Sequence, residues 1–157
     1  MNNRLTVLVA EDDPVFRRVI IFTLEAAGYR CQAVSNGVDA KAILAKGGVD
    51  LLVTDHQMPL CSGLELIEHV RQDAALVSLP IILCTAKGFE LDAAELSKTH
   101  RLLAVLRKPF SPRQMMALVK AHLDKPPRRS DLPMVGINLS SQHFLPLDSS
   151  SPTICHE

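Results

Sequence analysis

Five side chains spread over nearly a hundred positions could do chemistry together: Glu11, Asp12, Asp55, Thr85 and Lys108. Glu11 and Asp12 follow the apolar run Leu5–Ala10, Asp55 follows Asp50–Thr54, Thr85 closes the run that begins at Leu79, and Lys108 follows Leu102–Leu106. Three carboxylates brought to one place repel, and each raises the others' pKa unless something positive joins them. A hard divalent ion relieves that repulsion through oxygen ligands, and Mg²⁺ suits a site with few carboxylates because it keeps waters to exchange for a phosphoryl oxygen. A carboxylate is also a nucleophile that needs no general base, and its product with a phosphoryl donor is an aspartyl phosphate. In-line phosphoryl transfer asks mainly for neutralisation of three equatorial oxygens. Mg²⁺, the Lys108 ammonium, and the Thr85 hydroxyl with backbone N–H groups would supply it. The competing reading of Glu11-Asp12-Asp13 is an acid cluster favoured by a helix N-terminus.

For these residues to meet, the chain must bring four strand ends together. Its body alternates short β-rich runs with amphipathic stretches. Strands are expected at 5–10, 30–34, 50–54, 79–85 and 102–106. Helices are expected from Pro14 to about Ala27, from Asn36-Gly37 to Lys46, from Gly63 through Val70, over 91–98, and from Ser111-Pro112 onward. Phe16, Val19, Ile20, Thr23, Leu24 and Ala27 recur at helical spacing in the first of these. Ser111-Pro112-Arg113-Gln114 has the form of a capping box with proline at the first helical position. Strands apolar on both faces, alternating with helices, indicate a parallel sheet covered on both sides. Such a doubly wound α/β domain places its ligand crevice at the carboxyl ends of the strands.

Composition narrows the partners. Lys+Arg and Asp+Glu both number 17, for a formal net charge of zero, which argues against a dedicated nucleic-acid or polybasic membrane surface. The four cysteines, Cys31, Cys61, Cys84 and Cys155, include no C-x-x-C pair, so zinc or thioredoxin-like spacing is absent; Cys31 and Cys84 read as small core residues. The first residues lack the long apolar run of a signal peptide, and no apolar stretch approaches the ~20 residues that span a bilayer. A cytoplasmic location is expected, with no membrane partner. From Pro126 the chain turns rich in Ser and Pro, so residues 4–125 are read as the domain and 126–157 as a disordered tail, with a short docking segment at Met134–Leu139 as the other reading of part of it.

Four motifs in order resemble one family: Val9-Ala10-Glu11-Asp12-Asp13-Pro14, Asp55-His56-Gln57-Met58-Pro59-Leu60-Cys61-Ser62-Gly63, Cys84-Thr85-Ala86 and Arg107-Lys108-Pro109-Phe110. Together they resemble the receiver domain of two-component response regulators, over about residues 4–125. The resemblance implies a flavodoxin-like fold with a five-stranded parallel sheet in the order 2-1-3-4-5. It implies Asp55 as phosphoacceptor, with Glu11, Asp12, Asp55 and the backbone carbonyl of Gln57 holding Mg²⁺. Asp13 falls beyond the ligand positions. Thr85 is then the hydroxyl that moves to the phosphoryl group, Lys108 its ion-pair partner, Lys108-Pro109 a cis bond, and Gly63 a residue wanted for backbone freedom. Gln57 and Lys87 stand where the family tunes phosphoryl lifetime, whereas His56, His100 and His122 read as surface residues. Val105 stands where the family often carries a rotating aromatic, so aromatic gating is not implied.

The resemblance further implies a regulatory phosphoacceptor, not an enzyme acting on other molecules, served by a sensor histidine kinase or a histidine phosphotransfer protein. Its output would pass through protein contacts around the fourth helix, fifth strand and fifth helix; no DNA-binding domain fits in the tail, and dimerisation through that face is left open. Two alternatives compete. A haloacid-dehalogenase-like phosphohydrolase would want D-x-D early in the chain, where this one has Asp55-His56-Gln57 ending its third strand. A receiver-like binding module that is never phosphorylated would have no need of the full acid, Thr and Lys set.

Overall fold

The apolar runs become strands because helices cover them from both sides, and the residues divide between those sides with the period of two that a strand imposes. A computed structural model describes residues 4–86 and 92–124. Its elements are β1 (Thr6–Ala10), α1 (Pro14–Ala26), β2 (Arg30–Val34), α2 (Gly37–Ala45), β3 (Leu51–Asp55), α3 (Gly63–Gln72), β4 (Ile81–Thr85), α4 (Ala93–His100), β5 (Ala104–Arg107) and α5 (Pro112–Leu123). The strands form one parallel sheet in the order β2-β1-β3-β4-β5, the expected flavodoxin-like α/β topology.

Leu8, Ala10, Leu52, Ile81 and Leu83 point to one face and pack with Ala40 and Leu44 of α2, Leu66, Ile67 and Val70 of α3, and Leu96 of α4. Val7, Val9, Leu51, Val53, Ile82 and Cys84 point to the other and pack with Ile20 and Leu24 of α1 and Met115 and Val119 of α5. Fully burying such a side chain stabilises by about 1.5–3 kcal/mol, so the three central strands, buried along their whole length, carry most of the fold. β2 and β5 are only partly covered, as sheet edges are, and Arg30 and Gln32 are tolerated there for that reason.

β4 starts at Ile81, two residues later than expected, and local chemistry accounts for three other shifted boundaries. Asp50 does not open β3, because its carboxylate accepts the Thr6 N–H at 2.7 Å. α4 starts two residues later than expected, behind Asp92, whose side chain accepts from Ala94 and Glu95 N–H; Leu91 lies outside the described residues. β5 starts two residues later because α4 ends on Arg101 in the left-handed region (φ 51°) and the Leu102 N–H closes on Ser97 O at 2.9 Å, which leaves Leu102 to the helix cap. Both expected caps of α5 are present: Ser111 Oγ accepts from Gln114 N–H and the Gln114 side chain accepts from Ser111 N–H. The 126–157 tail, its Met134–Leu139 segment, Cys155 and Lys87 lie outside the described residues.

Candidate functional site

Each of the five residues sits where a central strand or its neighbour stops. Strand pairing sets Asp55 opposite Cys84 and Thr85 opposite Arg107, so Asp55, Thr85 and Lys108 lie in adjacent strand ends by register alone. Backbone bonds lock them there. His56 N–H donates to Cys84 O at 2.8 Å, and Lys108 N–H donates to Thr85 O at 2.8 Å. The Lys108-Pro109 bond is cis, as the resemblance implied.

Glu11 is 1% exposed and Asp55 6%, while Asp12 is open to solvent. One carboxylate oxygen from each of the three lies within 4.8 Å of the others. Lys108 Nζ stands 2.8 Å from Glu11 Oε2 and 3.1 Å from Asp55 Oδ1, so a single ammonium bridges both buried carboxylates. Burial pushes Glu11 above the usual carboxylate range; Lys108 pulls it back and the charge of Asp55 pushes it up again. Asp55 is raised likewise, by burial first and by Asp12, against the pull of Lys108. For Lys108, burial works to lower the pKa, but its bonds to Glu11 and Asp55 outweigh that and the net direction is up. Three carboxylates sharing one cation remain short of positive charge, and that deficit is what a hard divalent ion would fill.

Asp13 does a different job. Its carboxylate accepts from Val15 and Phe16 N–H at 2.8 and 3.0 Å, capping α1. Helix capping thus accounts for Asp13 and leaves Glu11 and Asp12 to the crevice. Arg17 completes the turn, donating from Nη1 to Glu11 O at 2.7 Å. Gln57 lies on the loop after β3 and lines an open crevice with Asp12, Met58, Pro59 and Ser62.

Gly63 returns that loop to the sheet, and the reason differs from the one expected. Its φ is not in the left-handed region; a Cβ there would overlap the Asp55 carbonyl oxygen. The Gly63 N–H donates to His56 O at 2.9 Å, so α3 begins in contact with the phosphoacceptor candidate's own backbone. The loop is anchored by Cys61, which is buried against Gly37 of α2. His56 and His100 are half-buried, not surface residues as expected; the His100 carbonyl accepts from Arg71 Nε at 2.8 Å. Cys84 is a core residue, as expected, whereas Cys31 on the edge strand is half-buried.

Sequence reasoning missed Phe16. Its ring lies under the Lys108 ammonium, 4.5 Å from Nζ to centroid, and meets the Phe110 ring edge-on at 5.1 Å and 76°. The available signal was Phe110 two places beyond Lys108, with a second aromatic in the turn that follows the acid pair.

Comparison with known proteins agrees with this arrangement. The model of the response regulator receiver domain matches residues 7–120. The chain is 36% identical over 121 residues to the phosphate regulon transcriptional regulatory protein PhoB of Pseudomonas aeruginosa, covering 75% of this chain and 51% of that protein. It is 31% identical over 159 residues to the transcriptional regulatory protein GltR of the same organism, covering 99% of this chain and 62% of the relative. It thus spans about half to three-fifths of the length of these curated relatives. Among solved structures, chemotaxis response regulator CheY4 of Vibrio cholerae superposes with a TM-score of 0.68 at 25% identity, covering 75% of this chain and 98% of that one. With the sheet order, the acid cluster fit for a receiver-domain Mg²⁺ site and the family match all in agreement, this chain belongs to the response regulator receiver domain family.

Proposed function

We propose that this chain is a phosphorylation switch in which Asp55 accepts a phosphoryl group from the phosphohistidine of a sensor histidine kinase or a histidine phosphotransfer protein. The observation that carries the reading is the Lys108 ammonium held between Glu11 and Asp55 at 2.8 and 3.1 Å. A cation already bound to the nucleophile's carboxylate stands within reach of any group that becomes attached to it.

In the proposed reaction an Asp55 oxygen attacks phosphorus, the bond from phosphorus to the donor nitrogen breaks, and the electron pair leaves with the imidazole. Glu11, Asp12, Asp55 and the Gln57 carbonyl would hold Mg²⁺, which supplies charge neutralisation on a phosphoryl oxygen. Lys108 would neutralise a second oxygen, and the Thr85 hydroxyl, at the end of the neighbouring strand, would meet the third. The receiver promotes this transfer and its slow hydrolysis on itself alone. It is a regulatory phosphoacceptor and no enzyme toward other molecules.

Phosphorylation would then favour one of two conformations through contacts made only in that state. α4 is suited to respond, since it buries no residue fully, and output would pass by protein contacts on α4, β5 and α5. Val105 is half-buried in the core, so any rearrangement works through Thr85 without an aromatic at that position. Donor docking is supported on α1, where Val15 and Phe22 are 72% and 74% exposed on the helix that leaves the acid pair. Residues 4–125 would form the receiver domain and 126–157 a tail. Among the described residues no helix is long and apolar enough to cross a membrane.

The test is the intact mass of the chain after incubation with Mg²⁺ and acetyl phosphate. One added phosphoryl group is expected, lost with EDTA and in Asp55→Asn. If neither acetyl phosphate nor beryllofluoride modifies or binds the folded chain, the switch reading falls and a receiver-like binding module takes its place.

A further inference from the structure

We propose that Phe16 is a positioning residue for phosphoryl transfer, its ring holding the Lys108 ammonium at the point where the equatorial oxygens would arrive. The inference rests on the phosphoacceptor reading of Asp55 and adds a residue to it. Lys108 carries its charge on a flexible stem of four methylenes, and a lysine ammonium has no fixed fork to orient it. Two carboxylates on one side hold it by charge. Phe16 holds it from another, with the ring centroid 4.5 Å from Nζ.

The aromatic contact differs in kind from the carboxylates. A ring face attracts a cation through its quadrupole but has no net charge. It therefore fixes the ammonium without neutralising it, and leaves its charge available to an oxygen that draws Lys108 away from Glu11 or Asp55. The ring is itself fixed twice. Its backbone N–H is bound by the Asp13 cap at 3.0 Å, and its side meets Phe110 edge-on at 5.1 Å. Phe110 lies two residues beyond Lys108, so the same loop that presents the ammonium braces the ring beneath it. Leucine keeps much of the apolar packing here, because Phe16 is only half-buried beside a mixed apolar cluster, but leucine offers the ammonium no π face.

The experiment uses the full chain as wild type, Phe16→Leu, Phe16→Trp, Lys108→Met and the Phe16→Leu/Lys108→Met double variant. Phosphorylation rates are measured across acetyl phosphate concentrations at saturating Mg²⁺, beryllofluoride affinity is measured beside them, and Mg²⁺ affinity is read from thermal shifts. Phe16→Leu is expected to lower the second-order rate and the beryllofluoride affinity by about 3- to 10-fold, the size of a partly desolvated cation–π contact. Mg²⁺ affinity should stay within about twofold of wild type, since the Phe16 side chain carries no atom that can ligate the ion. Phe16→Trp, which keeps a π face, should restore both readouts, and Phe16→Leu should cost nothing further in the Lys108→Met background. Equal rates in wild type and Phe16→Leu overturn the proposal. So does a loss in Phe16→Leu that persists with Lys108→Met, or that lowers Mg²⁺ affinity equally and is not rescued by tryptophan, since either pattern marks a packing role. A wild-type chain that takes neither acetyl phosphate nor beryllofluoride overturns the phosphoacceptor reading itself, and the proposal with it.

Discussion

Lys108 Nζ lies 2.8 Å from Glu11 Oε2, joining residues ninety-seven positions apart at the edge of one sheet. The same ammonium reaches Asp55, so each buried carboxylate depends on a cation that the other also uses. Removing it leaves two desolvated charges facing each other. Breaking a fully buried pair from one side costs about 3–5 kcal/mol. Lys108 keeps some contact with water, so Lys108→Met is expected to cost about 1–3 kcal/mol in EDTA. Saturating Mg²⁺ should shrink that cost, and Asp55→Asn added to Lys108→Met should recover most of it. Urea unfolding of the four proteins in the cycle, with and without Mg²⁺, measures the coupling. Additive effects of the two substitutions would show that Lys108 and Asp55 are independent.

Gly63 tests whether the loop after β3 is held by sterics or by backbone conformation. A Cβ at Gly63 collides with the Asp55 carbonyl, whereas at Gly47 (φ 76°) it meets nothing within 4 Å. Gly63→Ala should therefore force α3 away from the sheet, with a cost of about 2–3 kcal/mol from overpacking. Gly47→Ala should cost nearer 1 kcal/mol, from the left-handed backbone alone. Only the first should weaken Mg²⁺ binding, because only the first displaces Asp55. Denaturant midpoints and Mg²⁺ thermal shifts on both variants separate the two causes. Equal loss of Mg²⁺ response in both would refute the steric account.

How much of this the sequence discloses depends on how local the cause is. The doubly wound α/β class and the convergence of Glu11, Asp55, Thr85 and Lys108 were legible because apolar runs and the polar residues that end them are written in neighbouring positions, whereas the sheet order came from the family resemblance. Asp13 was set apart from the ligand positions by its register, and in the structure its carboxylate caps Val15 and Phe16 instead. What escaped was mutual placement across the chain. The Phe16 ring under Lys108, the Cys61 side chain against Gly37 and the carbonyls gathered by Arg71 each join elements with no shared sequence period. The apolar spacing of α1 overstated its buried face for the opposite reason: Val19 fits the helical repeat yet is 43% exposed, since periodicity reports a stripe and not what covers it.

Leu60 holds a left-handed backbone (φ 68°) on the loop after β3, with its side chain 81% exposed. A non-glycine residue there carries about 1–2 kcal/mol of steric cost, and little burial offsets it. Leu60→Gly should raise stability by up to about 1 kcal/mol, part of the relief being offset by the extra freedom glycine gives the unfolded chain. Leu60→Asn, which tolerates the same region, should stabilise too. The readout is the urea midpoint at constant m-value. Leu60→Val should destabilise, as a β-branched side chain suits that conformation least. Loss of stability in both Leu60→Gly and Leu60→Asn would mean that the leucine side chain, not the backbone, sets this loop.

Tyr29 is the chain's one tyrosine, and there is no tryptophan, so its ionisation can be followed directly by ultraviolet absorbance. It is buried between α1 and β2 in sequence, and its hydroxyl donates to Asp124 Oδ1 at 2.9 Å, tying the end of α5 back to that turn. Burial first, then the hydrogen bond and charge of Asp124, push the phenol from 10.0 up to about 12. The folded value lies above the unfolded one, so the neutral phenol's contribution to stability is complete below the unfolded pKa and lost as pH rises through the folded one. The stability difference between wild type and Tyr29→Phe should hold steady through neutral pH, at about 1 kcal/mol for the lost hydrogen bond. It should then fall across the window from 10.0 to about 12. Absorbance should place the native transition at the upper end of that window and return it to the ordinary value in urea. A native midpoint at the ordinary value would show that α5 does not close over Tyr29 in solution.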